Sequence, residues 1–260
     1  MTDSTRQPVP RALMPLRVSD PGADPRITRQ RAQREGYVFC RALVPRDRID
    51  ALRDHALAVA EDLGWLDADA PPAAARAVPG ARLGAYDDPR WIAFLRRVLP
   101  HPSFAALRVA PAVVAVLTAI LGAQPESDAG DLCRVVSSDD PAHTTVAHQD
   151  RFYLPGGTPR WSMWVPLGPC PLTLGPLAVL PRSHERGLLP HAGDVAWRRG
   201  VDVADDADWA ASDLEPGDAI LFSWLTVHRA LPNVSGRALR LSATCRYRAA
   251  DCSAFQCRST

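Results

Sequence analysis

The chain has 260 residues, enough for one large domain with a substantial core. Its formal net charge is +1, so no strong field would recruit nucleic acid or an anionic membrane surface. All 30 basic residues are arginine, which excludes Schiff-base lysine chemistry and, together with 25 prolines, indicates the codon bias of a high-GC genome.

The N-terminal half of the chain is predicted to be mainly helical. Residues 1–25 are rich in Pro, Asp, Ser and Arg without any period, so we expect a flexible tail before a single domain over 26–260. Residues 67–89 also lack a period, and they form either a lid or a disordered surface loop. Elsewhere in this half, the spacing of apolar residues predicts a strand at 37–44 and helices at 45–63, 90–99 and 111–121.

The C-terminal half is predicted to be built of β-strands. From residue 131 onward, short apolar runs are broken by Pro, Gly and Asp, a texture typical of a β-sandwich or barrel. A helical part over 26–125 and a β core over 130–248 together make an α+β domain that is mainly β. The predicted strands are 132–137, 144–149, 160–167, 177–180, 219–222, 226–229 and 239–246.

His148 and Asp150 are the strongest candidates for chemistry. On an extended chain, side chains two residues apart point to the same side, so an imidazole and a carboxylate would be presented together. A third ligand would complete a face of two histidines and one carboxylate, which leaves open positions on the metal and selects Fe(II) for oxygen chemistry. His228 is the best candidate and His184 is its rival, whereas His143 would face the other side of a regular strand.

Neither the cysteines nor the N-terminus indicate secretion or a membrane. The six cysteines form no metal-type pair and no spacing typical of a small disulfide-bonded domain. We find no charged-then-apolar signal pattern and no apolar run of membrane-spanning length. These features predict a cytoplasmic protein with no membrane or nucleic-acid partner, and they leave its oligomeric state open.

Motifs around the candidate metal site resemble the phytanoyl-CoA dioxygenase family. The segment 34–38 resembles the opening of the family more weakly, so the likeness covers the chain from about residue 30 to residue 248. The resemblance implies a double-stranded β-helix, or jelly roll, with N-terminal helices packed on one sheet. The stronger motifs are Gln149 with Asp150, 164–167, 175–184, 215–218, His228 with Asn233, 240–242, and Arg246 with Tyr247.

Members of this family are oxygenases that depend on Fe(II) and 2-oxoglutarate. The resemblance therefore implies iron held by His148, Asp150 and His228, with 2-oxoglutarate and O2 as cosubstrates. The family histidine that matches His184 lies in a structural loop, which keeps His184 off the metal. Related halogenases carry a small residue in place of the carboxylate, so Asp150 favours oxygenation over chlorination.

The distal carboxylate of 2-oxoglutarate would need a guanidinium partner, and Arg237 and Arg240 compete for this role. Strand alternation places Arg240 and Ser242 together on the lumen face, whereas Arg237 has the position of a turn residue. The family also has an Arg-x-Ser pair and a tryptophan near the cosubstrate, which implies Arg240, Ser242 and Trp164. Arg246 shares the face of Arg240 and receives no role.

Substrate contacts are expected from residues near the metal and from irregular segments. Arg134, Phe152, Tyr153 and Arg182 are the predicted pocket residues. Loops at the mouth of a rigid barrel commonly carry recognition, so we expect specificity to lie in the segments 67–89, 151–160 and 249–260.

The predicted function is oxidation, in the first place hydroxylation, of a small organic molecule in the tailoring of a bacterial secondary metabolite. The same oxidant could instead give desaturation, epoxidation, cyclisation or epimerisation. A non-catalytic jelly-roll binding module is the alternative of another class, and it would be expected to lose part of the ligand set, which this chain keeps. A zinc hydrolase could use the same three ligands, but it lacks an obvious second general base nearby.

Overall fold

Two antiparallel β-sheets face each other, and a layer of helices covers one of them. The computed structural model describes residues 13–81, 83, 88–138, 144–154, 156–193, 199–204 and 206–250. The helices are α1 (Pro25–Glu35), α2 (Arg46–Asp62), α3 (Pro89–Val98), α4 (Pro102–Arg108), α5 (Pro111–Leu121) and α6 (Asp150–Tyr153). The strands are β1 (Tyr37–Cys40), β2 (Pro125–Ser127), β3 (Leu132–Val136), β4 (Arg160–Pro166), β5 (Leu177–Val179), β6 (Ala219–Ser223), β7 (His228–Ala230) and β8 (Arg240–Ala249).

The larger sheet has six strands. β1, β6, β4, β8 and β2 follow one another in that order, and β3 also pairs with β8. All of these pairings are antiparallel. In the centre of the sheet, Ser162 of β4 lies opposite Phe222 of β6 on one side and Arg246 of β8 on the other. Because residues directly opposite each other share a face, the side chains of Ser162 and Arg246 are neighbours.

The smaller sheet carries both histidines of the predicted metal site. Its regular part is the pair β5 and β7. Single antiparallel bridges extend it on either side, from His148 to His228 and from Val179 to Ala210, and Met14 adds a parallel bridge to Ala210. The backbones of the two histidines of the predicted site are therefore paired directly.

Strand alternation divides the side chains of the larger sheet between two cores. Met163 and Val165 of β4 belong to the core that the helices form with the outer face of this sheet. Trp164, between them in sequence, packs with Phe222 of β6 and Leu177 of β5 in the gap between the two sheets. This is the predicted jelly roll with N-terminal helices on one sheet, and the gap between the sheets is its lumen.

Most predicted elements are confirmed, with small shifts at their ends, but α1, α4, α6 and β2 were not predicted. Helix α1 buries only Thr28 and Ala32, so its sequence shows little apolar periodicity. Its ends are set by local chemistry instead. Asp24 caps the N-terminus by accepting from the Arg26 N–H, and Gly36 ends the helix in the left-handed region at φ 76°.

Two predictions differ from the structure: the strand at 144–149 and the flexibility of the tail before residue 26. Within 144–149 the structure has a single bridge, at His148, and the chain turns into α6 at Asp150 instead of continuing as a strand. The described part of the predicted flexible tail is bonded to the domain, because Leu16 is buried and the Ser19 N–H donates to the Phe39 carbonyl at 2.6 Å. The division of the chain into a tail over 1–25 and one domain over 26–260 stays a prediction.

The described residues of the segment 67–89 form a loop with one short turn, Pro72–Ala74, as far as the start of α3, and they are bonded into the fold. The Ala77 N–H donates to the Arg237 carbonyl at 2.8 Å, and the Leu239 N–H donates to the Ala75 carbonyl at 2.8 Å. Asp67 forms an ion pair with Arg237 at 2.8 Å. None of the described residues of this segment lines the central pocket, so they give no support to a lid.

Within the described part of the chain, no single helix is long and apolar enough to span a membrane. The helices α4 and α5 reach the length and apolar composition of a membrane span only when they are taken together, and the chain bends by 46° at their junction. Both are packed under the larger sheet, with Phe104 of α4 and Leu117 of α5 fully buried in its helical core.

Gly175 is required by the approach of two backbone segments. It follows a turn at Leu172–Leu174 and has a φ of 75°. A Cβ at this position would collide with the Leu231 carbonyl oxygen. The Gly175 carbonyl also accepts a hydrogen bond from the Arg240 guanidinium, so this turn supports a side chain of the lumen.

We expect Gly175→Ala to lower the free energy of unfolding by more than about 3 kcal/mol, because it adds a backbone collision to left-handed strain. Gly236→Ala is the matched control, since Gly236 has a φ of 85° with open space around its Cβ position. Strain alone should cost this variant about 1 kcal/mol. Urea unfolding measures both values, and equal losses would contradict the packing assigned to Gly175.

Candidate active site

Three buried side chains converge in the lumen. The Nε2 atoms of His148 and His228 each lie 3.7 Å from Oδ1 of Asp150. The three ligand atoms all lie within 4.8 Å of one another, and among the described residues this is the one group of three or more His, Cys, Asp or Glu side chains so placed. The structure thus brings together the metal ligands proposed from the sequence, because Gln149 is extended and lets both of its neighbours reach the same side.

Backbone carbonyls orient both imidazole rings. Nδ1 of His148 donates to the Val146 carbonyl at 2.8 Å, and Nδ1 of His228 donates to the Thr226 carbonyl at 2.9 Å. Since Nδ1 carries the proton, Nε2 keeps its lone pair for a metal. Burial, reinforced by the neighbouring His148, lowers the pKa of His228 to about 3, so this ring is neutral.

Asp150 is held by two residues of the larger sheet. Ser162 donates to its Oδ2 at 2.6 Å, while Arg246 donates through Nε to Oδ2 at 3.3 Å and through Nη2 to Oδ1 at 3.1 Å. Burial by itself would raise the pKa of Asp150, but the charge of Arg246 holds that pKa well below its usual value. The carboxylate is therefore ionised, as a metal ligand must be.

Gln149 ties the two ligands on either side of it to neighbouring loops. Its amide nitrogen donates to the carbonyls of Gly187 at 2.8 Å and Leu225 at 2.6 Å, and its amide oxygen accepts from the Leu189 N–H at 2.8 Å. Its backbone N–H donates to Nε2 of His191 at 3.0 Å. Gln149 is completely buried, and these bonds fix the direction of the chain between the two ligands.

Arg240 lines the same pocket as the metal ligands. It is fully buried and donates to the Gly175 carbonyl, but its Nε has no hydrogen-bond partner among the described residues. Ser242 shares this face of β8, and its buried Oγ likewise lacks a partner there, although it is not part of the pocket wall. Burial lowers the pKa of Arg240 to about 10, so the guanidinium is still charged at neutral pH. A charged, incompletely bonded guanidinium fits an anionic ligand such as a carboxylate.

The competing arginine lies elsewhere. Arg237 pairs with Asp67 and donates to the Ala77 carbonyl, and its side chain is 36% exposed. Trp164 lines the pocket, as the resemblance implied. These placements favour Arg240 over Arg237 as the cosubstrate arginine, and the roles of Arg240, Ser242 and Trp164 stay predictions.

The four predicted substrate residues are only partly brought together. Arg134 lines the pocket, while Phe152 and Tyr153 lie beside it on α6, where the Tyr153 ring meets the His148 ring edge-on at 5.6 Å. Arg182 is not part of the pocket wall: its side chain is 66% exposed and faces Glu185 at 3.6 Å, so its role in substrate binding stays a prediction. A left-handed backbone conformation at Arg182, with φ 65°, directs the chain there into a surface turn.

Sequence reasoning missed Ser162, Arg246 and most of the pocket wall. Strand alternation was a usable signal for both missed polar residues: Arg246 shares the face of Arg240, and Ser162 shares the face of Trp164. His143 and residues 251–260 lie outside the described residues. The remaining wall residues that were not predicted are Leu132, Thr145, Leu177, Phe222, Ala230 and Thr244.

The sequence also matches a family model over most of its length. Residues 32–241 match that of the phytanoyl-CoA dioxygenase (PhyH) family. The chain belongs to the phytanoyl-CoA dioxygenase family. The family inferred from the motifs is confirmed.

Part of this PhyH-family chain is similar to two bacterial hydroxylases. The 1-deoxypentalenic acid 11-β-hydroxylase of Streptomyces arenae is 34% identical over 107 residues, and that of Streptomyces exfoliatus is 32% identical over 107 residues. Each match spans 38% of this chain and 38% of the relative, so the chain matches well under half of their length.

Solved structures share the fold over nearly the whole chain. EvdO2 from Micromonospora carbonacea var. aurantiaca, complexed with 2-oxoglutarate, has a TM-score of 0.60 at 20% identity, covering 88% of this chain and 92% of that one. The α-ketoglutarate-dependent carbocyclase SnoK from nogalamycin biosynthesis has a TM-score of 0.62 at 20% identity, covering 90% and 87%. The epimerase SnoN, in complex with Fe3+, α-ketoglutarate and nogalamycin RO, has a TM-score of 0.60 at 19% identity, covering 87% and 85%. At these identities the likeness confirms the jelly-roll fold alone.

The depressed pKa of His228 predicts a pH-dependent stability of the metal-free protein. Between pH values of about 6.5 and 3 the unfolded chain binds a proton on this residue that the folded chain does not, so stability falls as the pH falls. We expect wild type to lose up to about 1.4 kcal/mol per pH unit more than His228→Gln in this range. Urea unfolding with a chelator present measures the difference, and parallel stability profiles would contradict the neutral, buried ring.

Proposed function

We propose that this chain is an Fe(II)- and 2-oxoglutarate-dependent oxygenase that hydroxylates a small organic molecule in the tailoring of a secondary metabolite. The observation that carries the proposal is the joint placement of two elements in one pocket. A buried, pre-oriented set of His148, Asp150 and His228 lies there together with the buried, incompletely bonded guanidinium of Arg240.

The residues of the pocket fit both implied groups. His148 and His228 would donate Nε2 to iron and Asp150 would donate Oδ1, a set that suits Fe(II) and leaves positions open. Arg240, with Ser242 beside it, would bind the distal carboxylate of 2-oxoglutarate. When bound, these groups couple decarboxylation of 2-oxoglutarate to activation of O2, so that one oxygen atom leaves in succinate and the other enters the substrate C–H bond as a hydroxyl.

The rest of the pocket controls orientation and water. Trp164, Leu177 and Phe222 form an apolar wall next to the ligands, and the Phe222 ring lies 4.4 Å from the His228 ring. Such a wall limits the water around the site and strengthens the electrostatic interactions inside it. Arg134 also lines the pocket and would contribute a polar contact to a substrate.

The substrate class is supported by similarity as well as by the pocket. The partial match to two Streptomyces hydroxylases, and the fold shared with proteins of nogalamycin biosynthesis, accord with a small-molecule substrate and with the high-GC composition. The proposal includes a cytoplasmic location, which suits a ferrous enzyme. The same pocket would serve desaturation, epoxidation, cyclisation or epimerisation if the substrate presented a different bond, so the product must be determined directly.

Iron-loaded protein should convert 2-oxoglutarate to succinate and attach one atom of 18O2 to the product. The measurement is mass spectrometry over a panel of terpenoid and polyketide acids that includes 1-deoxypentalenic acid. His148→Ala, Asp150→Ala and His228→Ala should each abolish succinate formation while the circular dichroism spectrum is retained. Binding of 2-oxoglutarate without any turnover in the presence of Fe(II) and O2 would instead favour a non-catalytic binding module.

The arginine assignment predicts a large difference between two variants. Arg240→Ala should raise the KM for 2-oxoglutarate about a hundredfold, because loss of a charged hydrogen-bonded partner costs on the order of 3 kcal/mol. Arg237→Ala is the control, since it breaks the pair with Asp67 outside the pocket and should change KM little. Steady-state succinate release measures both KM values. A larger rise in Arg237→Ala than in Arg240→Ala would show that Arg237 binds the cosubstrate.

A further inference from the structure

We propose that Ser162 and Arg246 are positioning residues that hold Asp150 as a one-oxygen ligand and thereby keep a position on the metal open. The inference rests on the proposed function. Ser162 and Arg246 belong to the larger sheet, and they restrict how the carboxylate of Asp150, next to the smaller sheet, can bind a metal.

The hydrogen bonds to the Asp150 carboxylate leave one of its lone pairs free for a metal. An ionised carboxylate has about four lone-pair sites, two on each oxygen. On Oδ2 of Asp150, both are used: one by the Ser162 hydroxyl at 2.6 Å and one by Nε of Arg246 at 3.3 Å. On Oδ1, Nη2 of Arg246 uses one at 3.1 Å. The remaining site belongs to Oδ1, the oxygen that faces Nε2 of both histidines at 3.7 Å.

The two positioning residues are placed by the sheet and not by the metal site. Ser162 and Arg246 are direct cross-strand partners on β4 and β8, and both are buried. The backbone N–H of Arg246 donates to Oδ1 of Asp131 at 2.9 Å, and Asp131 pairs with Arg108 of α4 at 2.7 Å. The backbone of β8 at Arg246 is therefore held by contacts outside the metal site, as a positioning residue requires.

This restriction has a chemical consequence. His148, His228 and one oxygen of Asp150 would hold a metal through three ligand atoms, a set that would leave positions for cosubstrate and O2. If Asp150 turned and offered both oxygens, the second would take one of these positions. A 2-oxoglutarate molecule bound through its keto-acid end would then leave no position for O2.

Nitric oxide, used as a stand-in for O2, tests the inference. Anaerobic protein is loaded with Fe(II) and 2-oxoglutarate, and nitric oxide is titrated with detection by electron paramagnetic resonance. In Ser162→Ala and Arg246→Lys we expect the dissociation constant for nitric oxide to rise roughly tenfold or more, with Fe(II) bound no more weakly than in wild type. Arg248→Lys is the matched control, because Arg248 lies two residues further along β8 and pairs with Glu126 at 2.9 Å instead of Asp150.

The possible results separate this inference from the proposed function. Wild-type affinity for nitric oxide in the Ser162→Ala complex would overturn the inference, as would an equal loss in Arg248→Lys or a loss confined to Fe(II) affinity. A wild-type protein that fails to bind Fe(II) and 2-oxoglutarate would overturn the proposed function, and the inference with it. If Arg246→Lys does not fold, Ser162→Ala decides alone, since it removes a single hydroxyl.

Discussion

The buried ion pair between Asp150 and Arg246, completed by the Ser162 hydroxyl, is the interaction on which the lumen depends. It joins a ligand at the edge of the smaller sheet to the centre of the larger one. A buried carboxylate is tolerated only when its charge and lone pairs are satisfied, and loss of one partner of such a pair typically costs about 3–5 kcal/mol. The contacts that stabilise the buried carboxylate of Asp150 also determine which of its two oxygens can bind a metal.

The rest of the architecture keeps this contact in place from both sides. The helices pack on the outer face of the larger sheet through Met163 and Val165, the neighbours of Ser162 and Trp164 on β4. On the opposite side, the backbone bridge between His148 and His228 fixes the two imidazoles relative to each other. The ligands therefore come from a paired smaller sheet, and the positioning groups come from a larger sheet supported by helices.

Local patterns in the sequence were sufficient to predict the ligands and most strands. His148-x-Asp150 needs only an extended residue between its ends, and strand alternation predicted the placement of Arg240, and not Arg237, in the lumen. What could not be predicted depends on contacts between distant segments. The partnership of Ser162 with Arg246 follows from the register of β4 against β8, and the bonding of residues 67–81 to the turn at Arg237 follows from their approach in space. Helix α1 was not predicted, because its ends are set by capping residues and its sequence has little apolar periodicity.

Both sheets would build one site, with Asp150 bound through Oδ1 to the metal and through Oδ2 to the larger sheet. An anaerobic crystal structure with Fe(II) and 2-oxoglutarate is the most direct test of this arrangement. We expect iron bound by Nε2 of His148, Nε2 of His228 and Oδ1 of Asp150 alone, with Ser162 still on Oδ2 and the cosubstrate carboxylate on Arg240. Iron bound by both oxygens of Asp150, or 2-oxoglutarate bound away from Arg240, would contradict it.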